Sequence, residues 1–238
     1  MGELEDVQDI LGHLEHDRAF QEAAQLIVEG VVTRRQNDDV SQAYRVYTRE
    51  IEQFTEQPAI MRLVLSDPSL KIWFFRVFGY RGELQFSMMQ AVWLRDLPLL
   101  TIGRDAHLGY GMMLGTSQIL PDGESVLLRR ISIGARTFFN QHTVVEGGTR
   151  VGEDCSVGVR VSIGGEVQVG DNVEVGDFAR IGDQVILGAG SRVGCGAIIG
   201  RAAIVDPGMA VEDGADVPAF HRLTSGGLFP RPHRRIAA

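Results

Sequence analysis

The stretch that decides the fold runs from Ile133 to Val217: IGARTFFNQHTVVEGGTRVGEDCSVGVRVSIGGEVQVGDNVEVGDFARIGDQVILGAGSRVGCGAIIGRAAIVDPGMAVEDGADV. Stepping by six from Ile133 gives Phe139, Val145, Val151, Val157, Ile163, Val169, Val175, Ile181, Leu187, Val193, Ile199, Val205, Val211 and Val217, apolar at every step. Glycine is often the next residue, as at Gly134, Gly152, Gly158, Gly164, Gly170, Gly176, Gly182, Gly188, Gly194 and Gly200. Four residues after each apolar position stands something small or β-branched, from Thr137, Thr143 and Thr149 through Cys155 to Ala203 and Ala215, with Met209 the exception. Two sub-patterns sharing one register mark an internal repeat.

Six residues make a short strand plus a turn, and three hexads close a triangular coil of about 18 residues, stacked at one strand spacing of about 4.8 Å. On this reading glycine supplies the positive φ of a tight corner, and the small residue fits a crowded interior. Each coil covers the backbone edges of its neighbour, so only the ends need capping. Ile102, Leu108, Leu114 and Leu120 also step by six, but Ile133 is one residue out of phase with them. Pro121-Asp122-Gly123-Glu124-Ser125 is rich in turn formers and is the expected place of the slip.

Upstream the pattern is helical. Leu4, Val7, Leu11 and Leu14 share a helical face; Phe20, Ala24, Ile27 and Val31 continue it after a break near Asp17; Asp38 or Asp39 can cap a third helix bearing Val40, Tyr44, Tyr47, Ile51 and Phe54. Pro58 and Pro68 punctuate the next stretch, with a short helix over Ile60 to Leu65. The aromatic, basic segment KIWFFRVFGYRG, residues 71–82, reads as a helix packed on the next domain in preference to a membrane-surface strip, because Arg76 and Arg81 interrupt its apolar face. The expected organisation is α+β: a helical domain over 1–95, a parallel β-helix over 96–218 with a slip or loop near 121–130, and a basic C-terminal tail over 219–238.

Composition bounds the function. The chain has 238 residues and a formal net charge of −8, which argues against a general nucleic-acid binder. Two cysteines make no disulfide framework, and no basic-then-apolar leader opens the chain, so a cytoplasmic setting is expected. No run of apolar residues is long enough for a membrane span.

The aliphatic-Gly-x-x-small-x register at 102–120 and 133–217 resembles the left-handed β-helix of the hexapeptide-repeat acyltransferase superfamily. A helical domain ahead of the β-helix is similar to serine acetyltransferases, and FFRVFGYRG followed by Leu100 and Ile102-Gly103 resembles the entry of β-helix units in peptide-synthetase-like proteins. The resemblance implies a left-handed coil, a homotrimer with acyl-donor sites between neighbouring subunits, and transfer of an acyl group from a CoA thioester, acetyl-CoA first among them, to a small-molecule hydroxyl or amine acceptor. VVEGGTR, residues 144–150, resembles the glycine-rich turn of serine acetyltransferases, but the histidine-bearing segment that comes after it there is missing here, which argues against serine as the acceptor.

Thioester acyl transfer needs a base for the acceptor's proton. Of six histidines, His107 and His142 fall on the coils. His142, fourth in the hexad FNQHTV, is expected to point outward beside the slip and is the candidate base, with His107 as substitute. Glu146 or Glu124 can fix its tautomer, and Asn140 or a backbone N–H can stabilise the oxyanion. For the donor's phosphates the outward arginines Arg160, Arg180, Arg192 and Arg201 are candidates, joined by Arg222, Arg231, Arg234 and Arg235 of the tail. The superfamily's zinc carbonic anhydrases use three histidine ligands; two histidines on the coils fall short, so no metal is expected. The competing reading is a non-catalytic trimeric scaffold whose helical domain binds a partner.

Overall fold

A computed structural model describes residues 2–33 and 36–231. Five helices come first: α1 (Gly2–His16), α2 (Arg18–Gln25), α3 (Asp39–Thr55), α4 (Pro58–Ser66) and α5 (Pro68–Val77). Their starts derive from capping chemistry. Asp17 accepts hydrogen bonds from the Ala19 and Phe20 amides, Asp38 from Ser41, and Asp67 from Ser69 and Leu70. Pro58 and Pro68 occupy first-turn positions, where a missing N–H costs nothing. The helical stripe is buried as its spacing predicts, except at its ends. Leu4 is exposed in the first turns of α1, and Val31 is exposed and lies not on a helix but on strand β1 (Gly30–Thr33). The 71–82 segment is core: Phe74, Phe75, Phe78 and Tyr80 are buried, and Phe78 packs on Phe20, Tyr47, Phe54 and Phe74 with ring centroids 4.9–6.0 Å away.

The rest is a parallel β-helix of three sheets. Its first strands are β2 (Ser87–Met88), β3 (Leu100–Ile102), β4 (His107–Leu108) and β5 (Met113–Gly115). The chain then leaves the coil through an antiparallel hairpin, β6 (Ser117–Ile119) and β7 (Ser125–Leu128), and re-enters with β8 (Ile131–Ile133), β9 (Phe138–Phe139) and β10 (Val144–Glu146). From Arg150–Val151 to Asp216–Val217, a two-residue strand stands at every hexad. Partners in the regular coils lie 18 residues apart, as in Val157 with Val175 and Ile163 with Ile181. All fifteen apolar hexad positions from Ile133 to Val217 are buried.

Leu114 pairs with Val145, 31 residues on where a regular coil would take 18. The irregularity is therefore an insertion of thirteen residues, not a one-residue bulge. Thirteen exceeds two hexads by one, which is why it looks like a slip of one in the sequence. Leu120, in phase by spacing, belongs to the hairpin and is only half-buried. Strand β1 pairs antiparallel with β7, so the helical region reaches across and holds the hairpin. One hydrophobic core runs without interruption from α1 to Val217. Tyrosines tie the two parts: Tyr47 Oη accepts from the Leu97 amide at 3.1 Å, and Tyr80 Oη from Ile102 at 3.1 Å.

Residues 221–230 continue the β-helix. His221–Thr224 pairs with Ile204–Val205 and turns back as a hairpin through Gly227–Pro230. Arg222 pairs with Asp206, and Arg231 Nη1 donates to the Ala202 carbonyl. Arg234 and Arg235 lie outside the described residues.

Candidate functional site

The corners of the coil are built by residues with positive φ at the fourth hexad position. One corner column runs Gly111, His142, Arg160, Phe178, Gly196 and Gly214, with φ between +54° and +68°. His142 is therefore exposed, at φ +57°, and its amide donates to the Tyr110 carbonyl at 2.8 Å. A methyl group added at Gly111 would stand 2.6 Å from His142 Nδ1, so the imidazole fills the space over that glycine. Its other neighbour is the Tyr110 ring, edge-on at 5.6 Å. Among the described residues neither ring nitrogen of His142 has a hydrogen-bond partner.

The expected companions of His142 are not assembled around it. Glu124 lies in the turn at the tip of the hairpin, where its amide donates to Asp122; the partner of His142 in the preceding coil is Gly111. Glu146, at the end of β10, faces the root of the hairpin opposite Gly115 and makes no hydrogen bond to His142. Burial, and secondarily the charge of Asp183, push the Glu146 carboxyl above its ordinary value. Asn140 stands before the corner; its backbone amide donates to Val157 O and its carbonyl accepts from Thr143 Oγ1, which leaves the side-chain amide as its available group. His107 is engaged: its Nδ1 lies 2.8 Å from Ser87 Oγ and its ring stacks on Phe138 at 4.5 Å.

The four candidate arginines are spread over the prism. Arg160 sits in the corner column directly after His142, its amide bonded to Gln141 O. Arg180 lies on the sheet that contains β5 and β10. Arg192 lies on the sheet that contains β4 and β9, paired with Glu174 at 2.7 Å. Arg201 is at the corner beyond Ile198–Ile199. Arg160 thus lies one coil beyond His142 at the same corner, Arg180 two coils beyond on the sheet after it, Arg192 three coils beyond on the sheet before it, and Arg201 at another corner. Among the described residues there is no cluster of three or more metal-ligating side chains, and no helix is long and apolar enough to cross a membrane.

Two hollows flank this corner, and neither left a signal in the sequence. One, of about 180 Å³, lies under the β6–β7 hairpin and is lined by Met113, Thr116, Gln118, Arg129, Val144 and Glu146 among others. The other, of about 410 Å³, lies between α4 and the first coil, with Met61, Met88, Met89, Trp93 and Tyr110 in its wall. Both depend on chain segments distant in sequence, so no spacing announces them.

Residues 148–183 match the family model for the bacterial transferase hexapeptide, six repeats. Among curated proteins none matches the chain. Solved structures with some likeness include a putative acetyltransferase of Bacillus cereus (17% identity, 64% of this chain and 73% of that one, TM-score 0.28). Another is the UDP-N-acetylglucosamine acyltransferase of Francisella novicida (13% identity, 66% and 69%, TM-score 0.31). A third is a hexapeptide-repeat acetyltransferase of Vibrio cholerae complexed with acetyl coenzyme A (14% identity, 79% and 85%, TM-score 0.27). Residues 148–183 thus carry the hexapeptide repeat of bacterial transferases, and the chain folds its repeat into a parallel β-helix of three sheets.

Proposed function

We propose that the protein is an acyltransferase that moves an acyl group from a CoA-type thioester to a hydroxyl or amine acceptor, with His142 as general base. One observation carries the choice of residue. Of the three histidines on the β-helix, His107 is held by Ser87 and Phe138 and His221 Nδ1 lies 2.9 Å from the Ala219 carbonyl, whereas among the described residues both ring nitrogens of His142, which projects from its corner, are unengaged. The transferase repeat at 148–183 supports the reaction class.

In this scheme His142 takes the proton of the acceptor as its oxygen or nitrogen attacks the thioester carbonyl. The C–O or C–N bond forms, the negative charge moves to the carbonyl oxygen, and the Asn140 side-chain amide is the nearby donor suited to it. Collapse of this intermediate breaks the C–S bond, and the CoA sulfur takes the proton from His142. Arg160, one coil beyond, and Arg180, two coils beyond, are the cations that suit the donor's phosphates. The protein acts as a homotrimer, so that a neighbouring copy closes the donor groove. The test is thiol release from acetyl-CoA across a panel of hydroxyl and amine acceptors. Acceptor-dependent release supports the reading, and none with any acceptor would favour the non-catalytic scaffold.

A further inference from the structure

We propose that the cavity under the β6–β7 hairpin is the acceptor's subsite and selects a cationic acceptor, holding an ammonium group against Glu146. This rests on the acyl-transfer reading and narrows its substrate class. The cavity exists because of the thirteen-residue insertion: the floor is the outer face of β5 and β10, and the hairpin supplies Ser117, Gln118 and Leu127 as a wall. That wall is held from two sides, by pairing of β1 with β7 and by the hydrogen bond from Thr116 Oγ1 to the buried Asp96 carboxylate at 2.7 Å. The floor is left open by Gly165, while Arg129 covers Gly147. A methyl group at Gly165 would stand 3.8 Å from Glu146 Oε2 and 4.0 Å from Arg129 Nη1, so both charged groups border this spot.

The charges there are committed except for one. Arg129 is paired with Glu166, whose second carboxylate oxygen accepts from Gln184 at 3.0 Å. Asp183 accepts from the Gly165 amide at 3.1 Å. Among the described residues Glu146 alone of these groups has neither hydrogen bond nor ion pair. Glu146 remains solvent-exposed, where a ligand can reach it, and partial burial and secondarily Asp183 push its carboxyl up, which a bound cation would oppose. Glu146 and Val144 project from the same face of β10, which begins two residues after the corner at His142. An acceptor that reaches from Glu146 along β10 to the corner can turn a separate hydroxyl or amine towards His142.

The experiment measures binding without acyl donor. Ethanolamine, cadaverine and glucosamine are titrated calorimetrically into the full chain beside their uncharged counterparts ethylene glycol, 1,5-pentanediol and glucose, and the series is repeated with Glu146→Gln. At least one ammonium compound is expected to bind tenfold or more tighter than its counterpart, and Glu146→Gln is expected to abolish that preference at an unchanged melting temperature. A preference that survives in Glu146→Gln, or no preference in the wild type, overturns the subsite. The two readings fail separately. Ammonium binding lost in Glu146→Gln with no thiol release from acetyl-CoA sinks acyl transfer and leaves the subsite, whereas thiol release that is indifferent to acceptor charge and to Glu146→Gln does the reverse.

Discussion

Gly152, Gly158 and Gly176 come directly after apolar hexad positions, and none has positive φ. A methyl group at Gly152 would stand 2.7 Å from the backbone carbonyl carbon of Gly170 in the next coil; at Gly176 it would meet the Cys195 nitrogen at 2.6 Å. These glycines let one coil lie directly on the next, and the aspartates above them use the gap. Asp171 Oδ1 accepts from the Glu153 amide and Asp177 Oδ1 from Val159, each at 2.8 Å. Positive φ falls instead at the fourth position, where His142, Asp154, Arg160 and Gln184 adopt it alongside glycines such as Gly190. Gly152→Ala should therefore cost about 1–3 kcal/mol, the usual penalty of forcing atoms into a packed site. Gly190→Ala, in open space at φ +67°, should cost about 1 kcal/mol from backbone strain alone. Urea midpoints of the two variants decide this, and equal losses would mean that stacking is not the reason for the hexad glycine. At His142 the expectation is different in kind. The ring is exposed and unbonded, so His142→Ala should leave the melting temperature nearly unchanged while acceptor-dependent turnover falls by about 10²–10⁴-fold. Steady-state kinetics on the variant check this, and unaltered turnover would pass the role to His107.

Among the elements, the β6–β7 hairpin depends most on a single buried group. Asp96 is fully buried; one carboxylate oxygen accepts from Thr116 and the other has no hydrogen-bond partner among the described residues. Burial pushes its carboxyl up, against opposing contributions from the hydrogen bonds of Thr116 and Ser117 and the charge of Arg95. With the native state holding this proton more tightly than the unfolded chain, the Asp96 contribution to stability falls as pH rises from the unfolded value of about 3.9 through the raised folded one. Asp96→Asn keeps an acceptor for Thr116 and removes that dependence. The stability of Asp96→Asn relative to wild type should thus increase from pH 4 to pH 7, read from urea midpoints; a pH-independent difference would refute the assignment. The regular coils fail in another way. Val175 and Ile181 are buried in the middle of the unbroken repeat, and Val175→Asp or Ile181→Asp would place an unpaired charge there at a cost above about 4 kcal/mol. Neither variant should accumulate as soluble protein, which a solubility assay against wild type would show.

For the whole molecule, one group of exposed apolar side chains lies near the His142 corner. Phe178 lies in the same column at φ +61° and is 56% exposed, Phe138 lies on the face leading to it, and Tyr110 and Met113 flank it from the first coil. Exposed aromatic side chains on a rigid edge are suited to packing against another copy, and closed symmetry is the usual state of soluble oligomers. The expected assembly is a trimer of three times the 26.1 kDa chain mass, and sedimentation equilibrium that finds only monomer would exclude it. Phe178→Ser should weaken that assembly without unfolding the chain.

The sequence alone determined the repeat. A period of six with an invariant apolar phase has one geometric solution in which every such residue is interior, and the pairing of Val157 with Val175 and Ile163 with Ile181 is its consequence. It also pointed to a helix boundary near Asp17 and a start at Asp38 or Asp39, because capping is a local contest between a side chain and the next amides, while the structure chose Asp38 and added the cap at Asp67. It showed that His142 points outward, since the register fixes which residues face in. What His142 faces was decided only by tertiary structure. The thirteen inserted residues shift the first coil, so Gly111 rather than Glu124 underlies the imidazole, and Glu146 comes to face the hairpin. The reason is that a period is a local property of the chain, whereas a cavity wall made by a hairpin, a distant strand at Gly30–Thr33 and a buried Asp96 is held by contacts between segments that no spacing relates.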